Sequence, residues 1–175
     1  MTHAILHRIE MEASPKDLRQ ALTTLDGLAA WWTPQVTRKE SRIAFRFGNG
    51  DQGPDMVEEP AVGEDTAVGE DTAVGEDTAV GEDTAVGEDI AGGKDTAVED
   101  VVWRCVAGPW EGHRFVFAIE PHARGSLLRF RHEGWEAQDD FFMHCNGKWG
   151  FFLAVSLKQY LETGTGRPHP DDPNM

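Results

Sequence analysis

Hydrophobic and polar positions alternate strictly at the start of the chain. In "HAILHRIEME" (residues 3–12), His3, Ile5, His7, Ile9 and Met11 share one side, and Arg8, Glu10 and Glu12 share the other. A period of two marks a strand with one face covered. The period then changes. In "SPKDLRQAL", Ser14 is a good N-cap, Pro15 suits the first helical position and Asp17 the first turn, so a short helix is predicted to about Leu22. "DGLAAWWTP" predicts a turn, a second short helical segment and a break at Pro34.

Alternation then returns. "SRIAFRFG" sets Ile43, Phe45 and Phe47 against Arg42 and Arg46, and "DMVEE" reads as a further short strand. "VVWRCV" sets Val101, Trp103 and Cys105 opposite Val102, Arg104 and Val106. "GHRFVFAIE" puts His113, Phe115, Phe117 and Ile119 together, and "GSLLRFRHEGW" puts Leu128, Phe130 and His132 opposite Arg129 and Arg131. The last element has helical spacing. In "DDFFMHCNGKWGFFLAVSLKQYLETG", Phe142, Cys145, Trp149, Phe152, Leu153, Ser156 and Tyr160 line one broad face. Asp139 and Asp140 suit its N-terminal end, and Gly164 suits its C-cap. Gly147 and Gly150 inside it cost up to about 1 kcal/mol each against alanine, which suggests a close neighbour there. The order predicts an α+β fold: a curved antiparallel sheet of about six strands, two short helices after the first strand, and a long C-terminal helix over one face.

Between the third and fourth predicted strands the pattern disappears. "AVGEDT" units follow one another from residue 61, and a decayed copy, "AGGKDT", ends at residue 96. Each unit offers one valine and two acids, too little apolar surface to offset chain entropy, so residues 61–98 are expected to be a disordered acidic insert in a hairpin loop. The expected domain is residues 1–60 with 99–166, followed by a loose proline-rich tail, 167–175. The repeat also explains the charge. The chain's formal net charge is −15, but residues 61–100 hold 13 of the acids and one lysine, so the remainder is close to balanced.

A net-negative chain argues against nucleic acid and anionic membranes as partners. No apolar run approaches the ~20 residues of a membrane span, and the N-terminus lacks a signal-peptide core. Two cysteines do not make a secreted disulfide framework, so a cytoplasmic location is expected. The row Arg42, Arg46, Arg104, Arg114, Arg129 and Arg131 could bind anions, but arginine is ordinary on a sheet's solvent face and acids on neighbouring strands can pair with it.

His7, His113 and His132 fall on the covered parity of three strands, and Cys145 falls on the facing helix stripe. Such a set could hold zinc, but the spacing carries no ligand motif, so no metal and no cofactor are expected. His7 and His132 are the weak candidates for an acid–base group; a hydrogen-bonded structural role is the default for both, and His3 and His113 are expected at the rim. Asp139 and Asp140 read as helix-start residues, and Ser156 has no triad-like partners.

"SPKDLRQALTTLDGLAAWWTP", "VVWRCV", "RFVFAIEP", "GSLLRFRHEGW" and "NGKWGFFLAVSLKQYLETGTGRPHP" together resemble the START-like, or SRPBCC, superfamily. Within it they resemble the branch similar to the activator of the heat-shock-protein-90 ATPase. The resemblance covers the chain except residues 61 to about 98. It implies a helix-grip fold, with the sheet wrapped round the long helix, and a cavity between the two for an apolar or amphipathic molecule. It implies no particular reaction, and no residue here specifically marks a chaperone partner. The Rieske relatives need an iron–sulfur domain that two cysteines cannot supply. The expected lining is Trp32, Phe45, Phe47, Trp103, Phe115, Phe117, Phe130, His132, Phe142, Cys145, Trp149 and Phe152, although the same side chains could simply fill a core. The expected function is binding of a small hydrophobic ligand without catalysis. The alternatives are a cyclase- or hydrolase-type enzyme using His7 or His132, and a co-chaperone-like interaction module.

Overall fold

The computed structural model describes residues 2–61 and 98–174. Strand β1 (His3–Met11) is followed by helices α1 (Pro15–Thr23) and α2 (Leu25–Trp31). Strands β2 (Val36–Lys39), β3 (Arg42–Phe45), β4 (Asp55–Glu59), β5 (Val101–Ala107), β6 (Arg114–His122) and β7 (Gly125–Trp135) come next. The seven strands form one antiparallel sheet in the order β1-β7-β6-β5-β4-β3-β2. Six correspond to the predicted strands. The seventh, β2, has only Val36 half-buried in an otherwise exposed, charged segment, and its pairing with β3 alone defines it.

Local chemistry explains the early helices. Ser14 accepts a hydrogen bond from the Asp17 amide at 3.1 Å and caps α1, and Thr24 does the same for α2 through the Gly27 amide. The two helices touch at Gly27, where a Cβ would lie 2.7 Å from the Ala21 Cα. That contact brings Trp31 Nε1 to 2.9 Å from the Ala21 carbonyl, which accepts its proton.

A long helical segment spans residues 140–163: α3 (Asp140–Phe151), a π-helical turn (Phe152–Leu157) and α4 (Lys158–Thr163). Asp139 caps it by accepting from the Phe142 amide at 2.9 Å, and Gly164, with φ 82°, ends it in the left-handed conformation. The segment lies across the inner face of the sheet. Cross-strand register places Ile5, His132, Phe115 and Trp103 side by side on four neighbouring strands, all buried beneath it. Gly150 faces β1, and a Cβ there would make an ordinary contact with His7 Cε1 at 3.4 Å.

The outer face carries the arginines, and acids pair with them. Arg42 and Arg46 reach Asp55, Arg104 and Arg114 reach Glu59, Arg129 reaches Glu120, and Arg131 reaches Glu133. β4 and β5 are adjacent and Glu59 pairs with Val102, so the chain leaves the sheet after Glu59 and rejoins it at Val101 beside the same point. The acidic insert expected at 61–98 lies, apart from its two end residues, outside the described residues.

Candidate functional site

The inner aromatic side chains divide into a filled core and an open mouth. Phe45, Trp103, Phe115, Phe117, Phe130 and Phe142 are buried and packed against one another or their neighbours. Trp32, from the end of α2, stacks parallel to Trp103 with centroids 5.9 Å apart and tilts against Trp149 at 5.0 Å. Above this layer lies a cavity of ≈ 330 Å³. It opens between the helix and the β3–β4 and β5–β6 turns. Trp32, Phe47, Cys145, Trp149 and Phe152 of the expected lining face it, while Phe45, Trp103, Phe115, Phe117, Phe130, His132 and Phe142 lie outside its lining. The structure adds Trp110, Phe141, His144, Lys148, His169 and Asp172, with Gln52, Gly53, Pro54 and Pro109 on the rim.

Each wall has a local cause. Gly53 (φ 152°) allows the β3–β4 turn to fold against Phe45, whose carbonyl would lie 2.0 Å from any Cβ. Trp110 comes from the turn after β5 and packs edge-on against Phe115 at 5.7 Å. Its indole N–H is buried without a protein acceptor, and burial pushes the pKa of the nearby Cys145 thiol up to about 11. The indole N–H of Trp149 is buried without a protein acceptor.

The C-terminal residues close the remaining side. The Ser156 hydroxyl donates to the Trp31 carbonyl at 2.6 Å and accepts from the Arg167 amide at 2.8 Å. The His169 amide donates to the Trp32 carbonyl at 2.8 Å. His169 Nε2 accepts from the Gly48 amide at 3.0 Å, which leaves Nδ1 as the protonated nitrogen. It faces Asp172 Oδ1 at 2.7 Å, and Lys148 Nζ meets Asp172 Oδ2 at 2.5 Å. Burial pushes the Asp172 carboxyl up, but the bonds from Lys148 and His169 outweigh it and leave its pKa below the ordinary value.

The two histidines singled out from the sequence sit elsewhere. His132 is fully buried. It stacks on Phe115 at 4.0 Å and is enclosed by Trp110, Trp135 and Trp149. Its Nε2 is 2.9 Å from His113 Nδ1, and its Nδ1 has no protein partner. Burial, helped by His113, holds its pKa down to about 2. His113, expected at the rim, lies half-buried against Gly134, whose Cβ would stand 2.8 Å from the ring. Burial lowers the His7 pKa, with hydrogen bonds to Asn146 acting the other way. Neither His7 nor His132 lines the cavity, so neither reaches a molecule held there. Among the described residues, no group of three or more His, Cys, Asp and Glu side chains is placed to hold a metal, and no helix is long and apolar enough to cross a membrane.

A curved antiparallel sheet gripping one long C-terminal helix, with an aromatic cavity at one end, is the START-like, helix-grip class. Solved structures agree. The Aha1 dimer from Colwellia psychrerythraea is 32% identical, with 94% of this chain and 99% of that chain covered and a TM-score of 0.64. A Staphylococcus saprophyticus protein (13% identity, 94% and 95% covered, TM-score 0.59) and a Mesorhizobium loti protein (15%, 86% and 91%, 0.55) share the fold. No family model and no curated protein matches the chain. The chain belongs to the Aha1-like branch of the START-like superfamily.

Proposed function

We propose that this chain binds a small apolar or amphipathic molecule in the cavity between the sheet and the long helix. The carrying observation is the cavity of ≈ 330 Å³ walled by Trp32, Phe47, Trp149 and Phe152. Its size and aromatic lining suit a ring-sized ligand. Two of the histidines favour a binding role: His132 is buried behind the wall, and both ring nitrogens of His169 are engaged by Gly48 and Asp172.

Titration with N-phenyl-1-naphthylamine tests this. Saturable fluorescence enhancement is expected, with a raised melting midpoint as ligand binds the native state, and with shifts in the Trp110 and Trp149 indole N–H signals. Phe47→Asp, on the half-buried hairpin, should abolish the enhancement while melting cooperatively. Absence of saturable binding by the unmodified chain would overturn the proposal. A second reading, self-association, is favoured by the dimeric state of the Colwellia relative. Light scattering showing only monomer at high micromolar concentration would remove it.

A further inference from the structure

Lys148 is the only lysine or arginine among the described residues lining the cavity. Its stem is mostly covered, with 19% of the side chain exposed, and the partner carboxylate of Asp172 is 8% exposed. A lysine near a cavity mouth ordinarily extends its ammonium group into water. Here Nζ is turned onto the tail instead, to Asp172 Oδ2 and the Pro173 carbonyl.

The second side of the Asp172 carboxylate is equally defined. Because the Gly48 amide occupies His169 Nε2, the His169 Nδ1 proton is committed to Asp172 Oδ1. An ammonium and an oriented imidazole N–H thus form a two-donor cradle at the edge of an aromatic cavity, already holding a carboxylate. His169 is anchored independently of Asp172, through the Trp32 carbonyl, the Gly48 amide and an edge contact with Phe47 at 5.4 Å. The chain beyond Pro170 can therefore leave without dismantling the cradle.

We propose that this cradle is a headgroup subsite for a carboxylate ligand with an aromatic body, and that Asp172 is its built-in competitor. The inference rests on the cavity-binding reading above. The ligand's ring lies against Trp32, Trp149 and Phe152, and its carboxylate takes the place of Asp172 between Lys148 Nζ and His169 Nδ1. The apparent affinity is reduced by the fraction of molecules in which Asp172 occupies the cradle. Neutral ligands of the same shape bind beside the closed cradle and are indifferent to it.

The test compares 1-naphthylacetate with its neutral isostere 1-naphthylacetamide, by tryptophan fluorescence on the full chain at neutral pH. The acid should bind more tightly than the amide, and bound acid should shift the Asp172 and Gly48 amide signals. Asp172→Asn should tighten the acid about tenfold and leave the amide unchanged, because an amide side chain competes poorly for an ammonium. Lys148→Met, which keeps the stem, should erase the preference. Equal binding of acid and amide by the unmodified chain, with no response to Asp172→Asn, overturns the headgroup subsite and leaves the cavity reading standing. Failure of both compounds to bind the unmodified chain and Asp172→Asn overturns both. The acid–amide ratio needs no variant, so a poorly folding substitution cannot hide the answer.

Discussion

His132 makes the protein's stability acid-sensitive in a way that can be calculated. In the unfolded chain its imidazole titrates near 6.5, while in the folded protein burial holds it near 2. Between those values the unfolded state takes up a proton that the folded state refuses. Stability is therefore intact above about pH 6.5 and falls as pH drops, until the folded imidazole itself titrates. From pH 7 to pH 5 the loss from this one group is about 2 kcal/mol, and by pH 4 about 3 kcal/mol. The size over this range depends only on the folded value lying well below the pH used.

The perturbation is His132→Phe, an apolar ring of similar shape beside Phe115. Urea unfolding at pH 7 and pH 5, extrapolated linearly, gives four free energies. Burial also lowers His7 and His113, which adds acid sensitivity of the same sign to both proteins. The difference between the two pH effects reports His132, together with any change in His113, whose Nδ1 loses its partner. It should be about 2 kcal/mol, with the variant less sensitive. A difference below about 0.5 kcal/mol would refute the reasoning, since His132 would then reach protons while folded. Imidazole C–H signals of the unmodified protein check this directly: those of His132 should not titrate between pH 7 and 5.

Other expectations follow from single contacts. Ser156→Ala should cost about 1–3 kcal/mol in urea unfolding, because the Trp31 carbonyl and the Arg167 amide both lose their buried partner. Gly27→Ala should lower the melting temperature, with a cost of about 1–3 kcal/mol, because the new methyl meets the Ala21 backbone. Asp139→Ala should cost about 1 kcal/mol through loss of the α3 cap, measured the same way. Cys145, its pKa raised to about 11, should react slowly with a disulfide reagent at pH 8, because little of it is thiolate. Rapid labelling of the native protein would contradict its burial.

Much of the fold was legible because strand parity and helix spacing are properties of neighbouring residues. Phe130 and His132 alternate with Arg129, Arg131 and Glu133, and both are buried under the helix. β2 was not legible. "VTRK" has no apolar alternation, and its strand character comes from Phe45 and Ala44 on the next strand. Parity also gives only the face on which a side chain lies. Whether that face is filled or open depends on packing between distant elements, so Phe117 and Phe47 looked alike in sequence. One is wholly buried against Trp103, and the other faces the cavity. Trp110 carried a weak signal, as a large aromatic residue in a turn of glycine and proline. His169 and Asp172 carried none: their partners, Gly48 and Lys148, are remote in sequence and no periodicity connects them.

The π-helical turn at Phe152–Leu157 has a consequence for the phase of everything after it. A wider turn accommodates an additional residue, which in an α-helix would rotate the following side chains by about 100°. In the observed phase, Ser156 faces the Trp31 carbonyl, Lys158 Nζ reaches the Glu10 carbonyl, and Glu162 accepts from the Glu12 amide. Deleting one residue within the turn would leave the composition of the helix almost unchanged. It would swing α4 off β1 and redirect the departing tail. The position of Asp172 at the cavity is thus set by angular bookkeeping inside the helix, well before the tail begins.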